Sequence, residues 1–145
     1  MPITIEEIPF GSEKYQALLP FRYEILRKPL GLELSAQDLA SENNEFQVGA
    51  WDDKQLLGCV LLRPIDSMTI KLRQMAVAEI SRGQGIGAKL VRYAEDLAVS
   101  RGFRIMEMYA RKSAQAFYEK LGYASEGEEF LEVTVPHIKM QKRLR

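Results

Sequence analysis

The segment richest in chemical content runs from Leu72 to Ala88, reading Leu-Arg-Gln-Met-Ala-Val-Ala-Glu-Ile-Ser-Arg-Gly-Gln-Gly-Ile-Gly-Ala. Strand-like residues end at Val77, glycines fall at Gly83, Gly85 and Gly87, and a helical pattern begins there. Glycine reaches backbone conformations closed to other residues, and its missing side chain lets a ligand touch the amides directly. Free N–H groups at a helix start, with the positive end of the dipole, form an anion site. Arg82 adds a fixed charge at the rim, so a phosphate or pyrophosphate is the natural guest. Elsewhere, His137 is the only histidine, and an imidazole ordinarily titrates near neutral pH. Glu79, Glu107 and Glu132 are further candidate bases that would otherwise be solvated surface carboxylates. Cys59, the only cysteine, lies in the apolar run Leu56 to Leu62 and reads as a buried small hydrophobe rather than a nucleophile.

The elements that must position these residues follow from periodicity. Ile3, Ile5 and Ile8 suggest an opening strand, and Ser12 caps a helix in which Leu18, Leu19, Tyr23, Leu26 and Leu30 recur, with Pro20 as an expected kink. Pro29 and Gly31 close it, and Ser35 with Asp38 forms a capping box for a second, short helix. Strands are expected over residues 46–51, 55–63 and 68–77 as an antiparallel meander, with a tight turn at Asp52-Asp53-Lys54. A helix over 85–100 presents Ile86, Leu90, Tyr93, Ala94 and Leu97 on one face. A strand over 103–109, a helix over 113–121 and one or two closing strands complete an α+β (mixed α/β) chain built on one sheet.

Bulk properties narrow the class. A chain of 145 residues with 46% hydrophobic and 28% charged residues reads as one globular domain over 1–145. Twenty basic and twenty acidic residues balance, so no general attraction to nucleic acid or anionic lipid is expected. The cations between Lys139 and Arg145 read as a solvated strand and tail. The longest apolar runs fall far short of the ~20 residues of a spanning helix. A single cysteine and an amino terminus without signal-peptide character point to a cytoplasmic protein.

Several glycine loops bind phosphates. The Walker A string is absent. Gly83, Gly85 and Ala88 satisfy the dinucleotide pattern Gly-x-Gly-x-x-Ala, with Glu107 at a distance suited to a ribose contact. Against that oxidoreductase reading, Gly83 lies well beyond the strand end, the motif follows an antiparallel meander, and the chain is short. Residues 82–87 resemble instead the pyrophosphate loop of the GNAT superfamily of N-acetyltransferases, Arg/Gln-x-x-Gly-x-Gly/Ala. The stretch from Ala114 to Tyr123 is similar to that family's second hallmark, small-x-x-aromatic-Tyr-x-x-x-Gly-aromatic.

The resemblance implies a central, mostly antiparallel mixed sheet flanked by about four helices, in which the parallel strands 72–77 and 103–109 splay around the pantetheine of acetyl-CoA. Met75, Ala76 and Val77 would pair with pantetheine through their backbones, and amides of Arg82, Gly83, Gln84, Gly85, Ile86, Gly87 and Ala88 would hold the diphosphate. Ala114, Phe117 and Tyr118 would border the cofactor, with Tyr118 facing the sulfur. The family's Asn contact falls on Arg111 here, a departure from the pattern. Arg22, Arg27 and Glu107 are candidate acceptor contacts, and the two arginines suggest an acidic acceptor. No metal is implied; the partner is a small-molecule or peptide amine, and a homodimer stays open.

Acyl transfer from a thioester to an amine needs a neutral amine, a stabilised oxyanion and a proton for the leaving thiolate. For a lysine-like acceptor the neutral form costs about 4–5 kcal/mol at pH 7. Within the resemblance, the Val77 amide would meet the oxyanion, Tyr118 would be the acid, and His137 is a candidate base beside the plain reading of a satisfied strand histidine. A non-catalytic acyl-CoA-binding module is the rival reading from another class.

Overall fold

A computed structural model describes residues 3–145. In chain order, strand β1 (Thr4–Ile8) leads to helix α1 (Glu13–Arg22) and the short helix α2 (Ala36–Leu39). Three strands follow, β2 (Phe46–Asp52), β3 (Gln55–Pro64) and β4 (Thr69–Val77). Helix α3 (Ile86–Ser100), strand β5 (Ile105–Arg111), helix α4 (Gln115–Lys120) and strands β6 (Ala124–Glu132) and β7 (Val135–Arg143) complete the chain. This is the α+β arrangement with four α-helices that the periodicity predicts.

Local chemistry sets the helix starts. The Ser12 hydroxyl accepts the Tyr15 N–H at 3.2 Å, and Ser35 and Asp38 form a reciprocal capping box. Pro20 removes one backbone donor, yet α1 runs through it to Arg22 without ending. The chain then widens into a π-helical turn, Tyr23–Arg27, and tightens through Lys28–Leu30 before Gly31 stops it at φ 70°. A change of helical pitch thus follows the proline where a kink was expected.

The sheet order is β1-β2-β3-β4-β5-β7-β6, antiparallel except for β4 against β5. That parallel pairing covers only Thr69↔Ile105 through Leu72↔Met108. Beyond it the two strands diverge, and the cause is visible in β4. Cys59 pairs with Ala76 and Leu61 with Arg73, so Gln74 and Met75 together oppose Val60. Gln74 has φ 55°, the left-handed geometry of a bulge residue. A bulge bends its strand and resets side-chain alternation. Ile70 and Leu72 accordingly belong to the core beneath α3, whereas Ala76 belongs to the second core, with Ile8, Tyr15, Leu18, Trp51 and Cys59.

A buried ionic network braces this bulge. Arg22 is fully buried at the end of α1 and donates two hydrogen bonds to the Glu42 carboxylate, at 2.9 and 2.6 Å. Its Nε donates to Gln74 Oε1 at 3.1 Å, and the Tyr15 hydroxyl donates to Glu42 at 2.7 Å. Arg73, on the strand before the bulge, reaches Glu45 at 2.7 Å, and Glu45 also accepts from Ser41 and Arg63. Burial alone would raise the Glu45 pKa, but the Ser41 hydroxyl and the two arginines outweigh it and hold it below the carboxylate norm. Removing one partner of such a pair strands the other charge, which costs roughly 3–5 kcal/mol. Arg22→Met is expected to lose about that much unfolding free energy in urea, and Arg22→Met with Glu42→Leu less than Arg22→Met alone.

Candidate active site

Where β4 and β5 part, they open a cleft of about 1300 Å³ that continues to the start of α3. A typical small-molecule pocket holds roughly 300–1,000 Å³, so this one has room for more than one drug-sized ligand. Past Leu72, β4 turns an edge with no strand partner toward the opening, and Met75, Ala76 and Val77 line the wall there. On their other side Ala76 and Val77 stay paired with β3, which keeps this edge rigid.

The floor at one end is the glycine loop. Ser81, Arg82, Gly83, Gly85, Ile86, Gly87 and Ala88 line it. Gly85 caps α3 at φ 76°, no side chain caps the helix, and its first turn holds no acidic residue. The amides of that turn therefore keep their donors free for an anion, with the dipole of a 15-residue helix behind them. Arg82 Nε donates to the Val77 carbonyl at 3.4 Å, tying the loop back to the strand end while most of its side chain stays exposed at the rim. A Cβ on Gly87 would sit 3.1 Å from Phe117 Cζ, so only glycine lets α4 close against α3 at this point without displacement.

From α4, Ala114, Phe117 and Tyr118 face the same cleft. Tyr118 is buried, and its ring packs edge-on against Phe117 and Tyr123 at 4.9 and 5.9 Å. Burial pushes its phenol pKa well above the ordinary value, so its proton stays on oxygen across the physiological range. Across the opening, His137 on β7 is buried with Nδ1 2.8 Å from the Val135 carbonyl oxygen. The Val135 carbonyl favours a proton on Nδ1, and Nε2 faces a Glu132 carboxylate oxygen at 3.6 Å. Glu132 and Val133 reach the cleft because the β6–β7 turn places Val133 at φ 44° and Thr134 at φ 68°. Two β-branched residues in the left-handed region are an unusual, strained choice for a hairpin turn.

A glycine-cushioned helix start beside a splayed strand pair now stands with matches to known proteins. The acetyltransferase (GNAT) family matches residues 12–123. The chain belongs to that family. It is 29% identical over 133 residues to the uncharacterized N-acetyltransferase YjcF of Bacillus subtilis, covering 91% of this chain and 94% of that one. It is 33% identical over 84 residues to the probable N-acetyltransferase 14 of Xenopus tropicalis, but that match spans only 41% of the frog protein's length and 55% of this chain. The fold superposes on the crystal structure described as a "putative N-acetyltransferase" from Lactobacillus plantarum with a TM-score of 0.87, at 22% identity and 99% coverage of both chains.

In this GNAT chain the remaining sequence-predicted residues divide. Arg27 lines the cleft, its guanidinium donating to Asp38 at 3.2 Å. Arg22 does not reach it, because the buried Glu42 and Gln74 contacts consume its guanidinium. Glu107 sits where β4 and β5 still pair, in register with Lys71 and outside the lining, and the Gln84 side chain turns to the Ile80 carbonyl at 3.5 Å. Of the three candidate glutamates only Glu132 borders the cleft. Arg111, Lys71 and the Gln74 bulge escaped sequence reasoning as site features; only the departure at Arg111 gave a signal. Among the described residues no cluster of His, Cys, Asp or Glu is arranged to hold a metal, and no helix is long and apolar enough to cross a membrane.

Burial pushes the Cys59 thiol up to about 12, so it is a packed core group without thiolate character at neutral pH. The native protein is expected to resist iodoacetamide at pH 8 and to be alkylated once unfolded in guanidinium, as read by mass spectrometry. At the loop, Gly85→Val combined with Gly87→Leu is expected to weaken coenzyme A binding by about tenfold or more in calorimetric titration, while circular dichroism stays native.

Proposed function

We propose that this chain is an acetyl-CoA-dependent N-acyltransferase in which the amine attacks directly within a ternary complex. The observation that carries the reading is the convergence of Tyr118, His137, the free β4 edge and the uncapped α3 start on one cleft. Acetyl-CoA supplies an activated acyl group; the chain supplies position, charge and protons. The amides of Arg82 to Ala88 hold the diphosphate, and backbone groups of Met75 to Val77 align the pantetheine as an added strand would. Ala114 and Phe117 wall the thiol end.

Proton traffic follows from the two sides. With Nδ1 donating to Val135, Nε2 of His137 takes a proton from the amine as the C–N bond forms, and the Glu132 carboxylate beside it stabilises the imidazolium. The Val77 amide meets the charge that develops on the carbonyl oxygen. As the C–S bond breaks, the Tyr118 hydroxyl gives its proton to the sulfur. Burial is the only influence on its pKa, with no protein hydrogen-bond partner acting on it among the described residues, so it is free to turn to a ligand. Asp38 and Arg27 hold the α1–α2 cover over the acceptor side, and a small-molecule or peptide amine would enter beneath it.

The test is thiol release from acetyl-CoA over a panel of amines. Tyr118→Phe is expected to lower kcat about a hundredfold with little change in acetyl-CoA affinity, and His137→Ala to lower it comparably. Because burial raises the Tyr118 pKa, the protonated acid persists on the alkaline side, and wild-type kcat should not fall between pH 8 and 10. A protein that coenzyme A stabilises in melting experiments, yet that releases thiol with no amine, would be a binding module and not a transferase.

A further inference from the structure

The cleft arginines are unequally partnered. Arg27 pairs with Asp38, and Arg63 and Arg73 pair with Glu45. Arg111, at the last position of β5, has no carboxylate within ion-pair reach among the described residues. Its one hydrogen bond runs from Nη2 to the Leu26 carbonyl at 3.0 Å, on the π-helical turn that covers the acceptor side. A guanidinium carries five N–H donors, so most of them are unspent. Burial, and then the neighbouring Arg27 charge, both lower its pKa, which marks a half-buried cation held without compensation. Lys71 on β4 also lines the cleft, 3.7 Å from the Tyr109 ring centroid, with Glu132 and Glu107 close enough to act on its charge but neither within ion-pair reach.

A half-buried cation left without a counter-ion beside a cleft costs stability unless a ligand supplies the anion. Position then says which ligand. Arg111 is the direct register partner of His137 across β5 and β7. A cross-strand pair sets Cα atoms only ~5 Å apart, so an anion on Arg111 and an amine at His137 fit on one small molecule. The opposite charge lies on the amine side, where Glu132 stands against His137 Nε2 and attracts an ammonium group before it is deprotonated. We infer that the acceptor is a compact amino acid-like molecule whose anionic group is held by Arg111, with Lys71 adding to the positive field and its amine directed to His137. The inference rests on the transferase reading and names the acceptor class that reading leaves open. It also moves the acid-binding role from Arg22, which is spent inside the core, to Arg111.

The experiment compares amines matched in size, β-alanine and 2-aminoethyl phosphate against propylamine, in thiol release and in calorimetric titration of the coenzyme A-loaded protein. One or both anionic amines should exceed propylamine by tenfold or more in kcat/KM and in affinity, the scale of a charge-assisted contact. The better of the two distinguishes carboxylate from phosphate. Arg111→Gln should erase the difference with acetyl-CoA KM unchanged, and Arg111→Lys should restore part of it. Equal values for all three amines overturn the anion site. So does an Arg111→Gln protein that keeps the preference, or one whose loss falls on acetyl-CoA KM instead. Absence of thiol release with every amine overturns the transferase reading alone, since the titrations still report whether an anion is preferred.

Discussion

The extra residue in β4 at Gln74 and Met75 is the constraint on which the rest depends. Without it β4 and β5 would continue as an ordinary parallel pair, each backbone group satisfied by its neighbour, and no edge would face a ligand. With it, pairing stops at Leu72 and Met108 and the wall of the cleft is an unsatisfied strand edge. A left-handed glutamine is not comfortable by itself. Its side-chain oxygen accepts from Arg22 Nε, and Arg22 in turn is locked by Glu42 and Tyr15. The buried charges are thus the fastening of a backbone irregularity, and the irregularity is what makes the site.

The two walls of the cleft have different physical characters. On the wall proposed for the donor, the surface is made of backbone: an open strand edge, a glycine loop and an uncapped helix start, closed over by Phe117 where Gly87 leaves space. Backbone groups are held by the sheet and helix themselves and demand no particular side chains beyond glycine. The opposite wall, proposed for the acceptor, is made of side chains from β4, β5, β6, β7 and the segment joining α1 to α2. Arg27, Lys71, Arg111, Glu132 and His137 meet there. Such a wall can change from one family member to another without disturbing the first, which is why membership in the family fixes the donor chemistry more firmly than the acceptor.

Much of this was legible in the residues alone. The order of elements, the capping box at Ser35 and Asp38 and the glycine loop before α3 rest on short-range rules, because helix starts, turns and phosphate loops are determined by neighbours a few positions apart, whereas the placement of Tyr118 came from the family resemblance. The β6–β7 hairpin was harder to resolve, since Val133 and Thr134 carry none of the Asn or Gly that ordinarily announce a left-handed turn. At Pro20 the sequence suggested a kink but not the form the structure shows, in which α1 runs on to Arg22 and widens into a π-helical turn.

What the sequence determined by itself is therefore the local machinery: a glycine-rich, uncapped helix start, a tyrosine on a following helix, and a lone buried cysteine. Only the tertiary structure decided the parity of β4, the pairing that removes Arg22 from the cleft and leaves Arg111 without a carboxylate, and the seat of His137 opposite Arg111. The reason is range. Each of those outcomes depends on partners tens of residues away in the chain, and a charge announces neither its burial nor its counter-ion until the strands that carry both have been brought side by side.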